Sequence, residues 1–315
     1  MKIVALAGGV GGAKLVHGLA QILPPEDLTA IVNTGDDFEH LGLYISPDLD
    51  TVCYTLAGLA NPETGWGRAD ETWNAIANIE RLGGPNWFHL GDQDLATHIE
   101  RTRKLKEGRP LSQITRDFCK AWGIKQTVLP MSDQSIRTIV ETDEGELAFQ
   151  EYFVHRRCEP RIKGFRFEGL DKADAPLGLR KAIQAADAIV ICPSNPWVSI
   201  APILAVLSPY FPGNWIEREG RNHIVAVSPI IGGKAVKGPA AKMYRELGIE
   251  PSALAVAKHY QNLAGGFILD VVDKNLEADI QGLNMHTLVT KTLMQNSDDR
   301  RHLAEDVLDF VGKSL

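Results

Sequence analysis

The sequence predicts an α/β fold with a doubly wound, mostly parallel sheet, and three observations carry that reading. The first 35 residues run strand, glycine-rich turn, helix, strand. The same alternation resumes from residue 177 onward. Between these stretches it is interrupted twice, by two consecutive helices and by a pair of alternating strands. Parallel strands joined through helices imply right-handed crossovers and a sheet covered on both faces, the Rossmann-like arrangement.

Lys2–Ala7 reads as a buried strand and Gly8–Gly12 as a turn. Ala13–Leu23 has helical spacing, with Leu15, Leu19 and Leu23 on one face, and Pro24-Pro25 ends it. Leu28–Asn33 is the second strand, with Asn33–Asp37 as the loop beyond it. A short strand over Tyr44–Pro47 and helices over Leu49–Leu59 and Glu71–Arg81 come next, then a brief extended piece at Trp87–Leu90. Asp94–Lys106 and Leu111–Trp122 are helices with no strand between them, so residues 92–124 are expected to form a small helical insertion in a core of residues 1–91 and 125–315. Ile136–Glu141 and Glu146–Val154 alternate around Asp143-Glu144-Gly145, an antiparallel hairpin signal. Helices at Leu177–Ala186, Ile200–Leu207 and Arg301–Val311 and strands at Ala188–Cys192, Ile224–Val227 and Phe267–Asp273 complete the pattern, and both halves are expected to share one sheet.

Composition narrows the function classes. The 315 residues include 33 Lys and Arg against 40 Asp and Glu, a formal charge of −7. That balance does not suit nonspecific nucleic-acid binding, which needs basic stripes. No apolar run nears the roughly 18 residues of a membrane span. The N-terminal apolar run stops at Ala7 and gives way to a glycine-rich stretch, so it is strand and turn rather than a secretory leader. Cys53, Cys119, Cys158 and Cys192 are widely spaced without a CxxC pair, which argues against a disulfide framework or structural zinc. A cytoplasmic protein is the expectation.

Ligands of such sheets bind beyond the carboxyl ends of the strands. Four polar loops succeed strands, Gly8–Lys14, Asn33–Asp37, Pro193–Pro196 and Ser228–Lys234, and are expected to converge. Gly8, Gly9, Gly11 and Gly12 precede a helix, where backbone amides and the helix dipole favour a phosphate. The run misses the third glycine of a dinucleotide fingerprint and lacks the Gly-Lys-Ser/Thr of a P-loop. Lys14 reads either as a phosphate cation or as a solvated helix residue. Asp36, Asp37, Glu39, Asp48 and Asp50 form a stretch without Lys or Arg, which repels itself unless a cation compensates. A hydrated Mg²⁺ shared with phosphate oxygens is the natural compensator; Asp36 and Asp50 are the ligand candidates, and Asp48 is expected to cap its helix. Asp92 or Asp94 is expected to cap the helix after Gly91. His89 and His98 lack metal-ligand spacing, and no serine elbow or Cys–His pairing supports covalent catalysis.

As an ordered set, the motifs resemble the 2-phospho-L-lactate transferase family of coenzyme F420 biosynthesis. The matching stretches are GGVGGAKL at 8–15, NTGDD at 33–37, SPDLDT at 46–51, GWGRADETWN at 65–74 and GDQDLATH at 91–98, continued by LPMSD at 129–133, PSNPWVSI at 193–200 and SPIIGGKAVKGPA at 228–240. The resemblance implies a Mg²⁺-dependent transferase. Its donor is a guanosine diphosphate bearing a three-carbon acid, either phospholactate or phosphoenolpyruvate. The ribityl 5′-hydroxyl of the deazaflavin Fo attacks the outer phosphate and GMP leaves. It further implies that the four glycines cradle the diphosphate and that Ser194 and Asn195 bind the nucleotide. Asp36 and Asp50 hold Mg²⁺, Asp50 also orients or deprotonates the hydroxyl, and His89, Asp92 and Asp94 line the deazaflavin side. The family often has a basic residue where His89 stands. Trp66, Trp73 and Trp87 read as ring-stacking or core residues. A homodimer is the family habit. The rival readings are a non-catalytic nucleotide or nucleotide-sugar binder of the same fold, and an NAD-dependent oxidoreductase.

Overall fold

The computed structural model describes residues 1–211 and 223–314. In chain order its strands are β1 (Ile3–Ala7), β2 (Leu28–Val32), β3 (Phe38–His40), β4 (Leu43–Ile45), β5 (Thr127–Pro130), β6 (Arg137–Thr142) and β7 (Gly145–Ala148), then β8 (Ile162–Glu168), β9 (Ala188–Ile191), β10 (Ile224–Val227), β11 (Ile230–Ile231), β12 (Lys234–Ala235), β13 (Gly266–Asp270) and β14 (His286–Thr290). Seven of them build one sheet in the order β14-β13-β10-β9-β1-β2-β5, every neighbouring pair parallel. Both halves of the chain therefore share a single doubly wound sheet. The direction of winding reverses between β1 and β9, which opens a crevice at their carboxyl ends.

Alternation along β1 explains the layering. Ile3, Ala5 and Ala7 join one core with Leu15, Val16 and Leu19 of helix α1 (Gly9–Ala20) and with Leu303, Ala304, Val307 and Val311 of the C-terminal helix Ser297–Ser314. Val4 and Leu6 join the other core, with Leu179, Ile203, Tyr244 and Val256 from four helices on the opposite face. A strand with both faces covered has no polar side, and all five residues of β1 are buried.

Several boundaries differ from the sequence expectation. Helix α1 begins at Gly9, so the glycines lie in its first turn rather than in a turn before it. The strand near Tyr44 is half of a hairpin with β3, closed by Leu41 and Gly42 at φ 53° and 72°. Two positive φ values make the primed turn that hairpins prefer, and the sequence hides it because leucine rarely occupies that position. Helix α2 (Pro47–Leu56) starts with proline at its first position. Helix α3 covers Asn74–Arg81, not Glu71–Arg81, and Trp87–Leu90 forms no strand. Helix α4 (Asp92–Lys106) is succeeded directly by helix α5 (Leu111–Ala121). The expected strand Glu146–Val154 stops at Ala148, and a π-helical turn occupies Glu151–His155; β8 instead supplies a third antiparallel strand beside β6. After β13 the chain turns into a 3-10 helix, because Asp270 accepts from the Val272 amide at 3.0 Å. The edge strands β5 and β14 had no reading in the sequence. Among the described residues, no helix is long and apolar enough to cross a membrane.

Candidate functional site

The loops after β1 and β9 meet, as the switch between those strands requires. The Gly8 amide donates to the Ser194 hydroxyl at 3.1 Å, and that hydroxyl donates back to the Gly8 carbonyl at 2.8 Å. The first turn of α1 lies directly on this second loop. A Cβ at Gly11 would stand 2.3 Å from the Pro193 carbonyl oxygen, and one at Gly12 would stand 2.7 Å from the Ser194 hydroxyl. Gly9 takes φ 61°, a conformation that a side chain would strain. Close approach thus explains Gly11 and Gly12, and backbone conformation explains Gly9. Asn195 uses its carbonyl oxygen to accept from the Trp197 and Val198 amides at 3.0 and 3.5 Å, and so caps the turn beyond it. Lys14 is not a solvated helix residue: its ammonium donates to the Met294 carbonyl at 2.6 Å. Burial, with Arg300 and Lys237 nearby, lowers its pKa.

The acidic stretch splits into two groups. Asp48 is not the cap of α2, whose N-cap position is Ser46. Its carboxylate instead points to the first strand-end loop. It accepts from the Asn33 amide at 2.9 Å, and one oxygen would stand 2.7 Å from a Cβ placed on Gly8. Burial pushes Asp48 up to about 6, against hydrogen bonds from Asn33 and the Gly9 backbone. Asp36 is also buried and is raised well above the carboxylate range by burial, by Asp48 and by Asp37. One oxygen each of Asp36 and Asp37 is buried without a hydrogen-bond partner among the described residues. Asp37 accepts from the Ser46 hydroxyl at 2.7 Å through its other oxygen.

Asp50 belongs to the second group. Both its oxygens accept from the guanidinium of Arg101, an α4 residue only 1% exposed. Burial raises the Asp50 carboxyl, and Arg101 and His98 work against that rise. His98 approaches Asp50 at 3.7 Å through Nδ1 and Asp94 at 3.4 Å through Nε2. Tyr54 donates to Asp94 at 2.7 Å and to Thr97 at 2.8 Å. Burial works to raise Asp94, but His98 and Tyr54 outweigh it and hold the carboxyl below its usual range. Asp50, Asp94 and His98 are close enough to share a cation, their ligand atoms lying within 4.8 Å of one another. Arg101 already supplies the positive charge there. Among the described residues no such partner neutralises Asp36 and Asp48, so the unmet demand for a cation lies with that pair.

Sequence reasoning joined Asp36 to Asp50; the structure surrounds Asp36 with Asp48 and Asn33, and Asp50 with Arg101 and His98. Asp48, Asn33 and Arg101 were missed as site residues. Pro47, a residue favoured at a first helical position, was the available sign that Asp48 lies inside the first turn rather than at its cap. Asp92 does not cap its own helix. It accepts from the Ala75 and Asn74 amides at 2.9 and 3.2 Å and from the Thr72 hydroxyl, which hold it down to about 2, with Thr72 the largest cause. In return Glu71 accepts from the Gln93 and Asp94 amides at 2.8 and 2.7 Å, capping α4. His89 is exposed with its ring 6.2 Å from that of Trp73. Trp66 and Trp73 are 52% and 46% exposed and so are not core, whereas Trp87 packs among Phe38, His40, Phe88 and His155.

Chemically, the arrangement offers a helix N-terminus with an anionic carboxylate beside it. A phosphate seated there meets the Asp48 charge unless a cation lies between them.

Comparison with known proteins bears on this geometry. A sequence model of the family described as 2-phospho-L-lactate transferase CofD matches residues 3–305. A phosphoenolpyruvate transferase of Streptomyces griseus is 42% identical, over 99% of this chain and 98% of its own. A 2-phospho-L-lactate transferase of Methanopyrus kandleri is 39% identical, also over 99% of this chain and 98% of its own. A solved UPF0052 protein of Bacillus halodurans shares the fold at 17% identity and a TM-score of 0.59, covering 98% of each chain.

Proposed function

The chain belongs to the 2-phospho-L-lactate transferase CofD family, and from that premise we propose that it moves a phosphorylated three-carbon acid from a guanosine diphosphate-linked donor to the ribityl 5′-hydroxyl of the deazaflavin Fo, releasing GMP. The observation that carries the reading is the pair of buried carboxyl groups, Asp36 and Asp48, lying without a cationic partner among the described residues, with Asp48 against the glycine-built start of α1 and Asp36 beside Asp48. Two buried carboxyl groups that ionise readily only beside a cation, next to a phosphate-binding helix end, suit a Mg²⁺-assisted displacement at phosphorus.

In this reading the first turn of α1 receives the diphosphate, and Ser194 keeps the two strand-end loops together beneath it. Asp36 and Asp48 would hold Mg²⁺, and the ion would supply positive charge to offset that of the phosphates. Asp50, named with Asp36 from the sequence as a metal ligand, has both oxygens committed to Arg101. We assign it the acceptor side, where a carboxylate paired with Arg101 orients the attacking hydroxyl. Asp94, His89 and the exposed Trp66 and Trp73 border that side. No side chain forms a covalent intermediate; positioning and charge neutralisation supply the rate.

We place phosphoenolpyruvate first as the acid, in line with the 42% identity of the Streptomyces griseus relative. Incubation with Fo, Mg²⁺ and either guanylated phosphoenolpyruvate or guanylated phospholactate tests the reading by mass spectrometry. The two products differ by two hydrogens. Product from neither donor overturns the proposal and favours a nucleotide-binding role.

A further inference from the structure

Two thiols outside the site face each other across a helix interface. Cys53 of α2 and Cys119 of α5 are both buried, and their sulfurs lie 3.8 Å apart. A disulfide needs about 2.0 Å between sulfurs, so closing the pair draws them together by nearly 2 Å. Cys158 and Cys192 instead have their sulfurs next to backbone carbonyls. Cys119 also lines a cavity of about 740 Å³ with Arg116, Lys120, Lys125 and Leu177.

We propose that Cys53 and Cys119 are a reversible dithiol–disulfide modification site, oxidised by small-molecule disulfides through that cavity, and that the closed bond pins α2 to α5 and slows transfer. Cys119, as thiolate, attacks one sulfur of the small disulfide, whose S–S bond breaks and releases one thiolate. The Cys53 sulfur then displaces the second from the mixed disulfide. Two electrons pass from the protein to the small disulfide, and the two protein thiol protons end on the departing thiolates.

The link to turnover is structural. Asp50 precedes Cys53 by three residues on α2, about one helical turn. Tyr54, next to Cys53, donates to Asp94 and packs on Trp122 of the α5 end, with ring centroids 5.3 Å apart. Phe118, next to Cys119, lies under the Arg101 guanidinium at 5.9 Å. The cysteines thus sit among the side chains that hold the Arg101–Asp50 pair, and moving either helix disturbs it.

The test incubates the reduced enzyme with glutathione disulfide, alkylates, digests without reductant and maps crosslinks by mass spectrometry. The expected result is a Cys53–Cys119 crosslinked peptide, a transfer rate lowered about fivefold, and recovery with dithiothreitol. Cys119→Ser should keep the reduced rate and ignore the oxidant. Absence of that crosslink overturns the site, and a crosslink with an unchanged rate overturns its control of turnover. The crosslink is read without any substrate, so an inactive reduced enzyme would count against the proposed function alone.

Discussion

The Asn33 side-chain amide donates to the Asp48 carboxylate at 2.9 Å, tying the end of β2 to the first turn of α2 beneath Gly8 and Gly9. This bond holds an anion where a phosphate-binding helix end begins. Replacing Asp48 with asparagine removes the repulsion with Asp36 and should raise the melting temperature of the metal-free protein. The same change should abolish the stabilisation by Mg²⁺ and lower transfer by about 10² or more. A thermal-shift titration with Mg²⁺ checks it: an undiminished metal response in Asp48→Asn would remove Asp48 from the metal site.

The pH dependence comes from the same residue. Its folded pKa, pushed up to about 6 by burial, exceeds that of an unfolded aspartate. Stability from the protonated form is fully present below about pH 4 and is lost as pH rises through about 6, on the order of 3 kcal/mol in all. Asp36, raised in the same direction, adds to the loss. Without Mg²⁺, wild type should therefore weaken relative to Asp48→Asn between about pH 4 and 7. Urea denaturation across that range measures the difference, and a flat one contradicts the burial argument.

Arg101→Leu leaves the Asp50 carboxylate buried without its partner. Breaking such a pair costs about 3–5 kcal/mol, and transfer should fall with it. Arg101→Lys restores a charge without the two-pronged donor and should recover part of the stability. Denaturation midpoints for the two variants give the order; equal loss in both would mean that geometry alone, not charge, matters here.

Two glycines separate packing from conformation. Alanine at Gly11 collides with the Pro193 carbonyl oxygen, 2.3 Å from the new carbon, and should cost about 1–3 kcal/mol. Alanine at Gly9 meets nothing nearer than 3.6 Å but must adopt φ 61°, a strain of about 1 kcal/mol. Gly11→Ala is expected to be the less stable of the two by calorimetry.

His89→Ala should leave stability within about 0.5 kcal/mol, because the ring is exposed. If His89 borders the acceptor, KM for Fo rises while KM for the donor stays fixed. An unchanged KM for Fo would take His89 out of that site.

Elements with an unbroken apolar run, as in β1, or a long periodic pattern, as in α1, α4, α5 and the C-terminal helix, were readable within a few residues. The misses share a cause. Edge strands β5 and β14 are only partly buried, so they lack the unbroken apolar run of β1. The hairpin of β3 and β4 rests on a leucine in a left-handed conformation, which composition does not announce.

Residue order alone established an α/β protein whose polar loops succeed its strands and whose acidic stretch lacks cations, because periodicity and composition are local. Which carboxylate faces which partner depended on the path of the chain. Asp48 and Asp50 are two residues apart on α2, yet the helix turns them to different neighbours, Asn33 on β2's loop and Arg101 on α4. Arg101 lies 51 positions from Asp50, and no spacing rule joins them. Only the packing of α4 against α2 decides that one aspartate is neutralised and the other left charged beside the glycines.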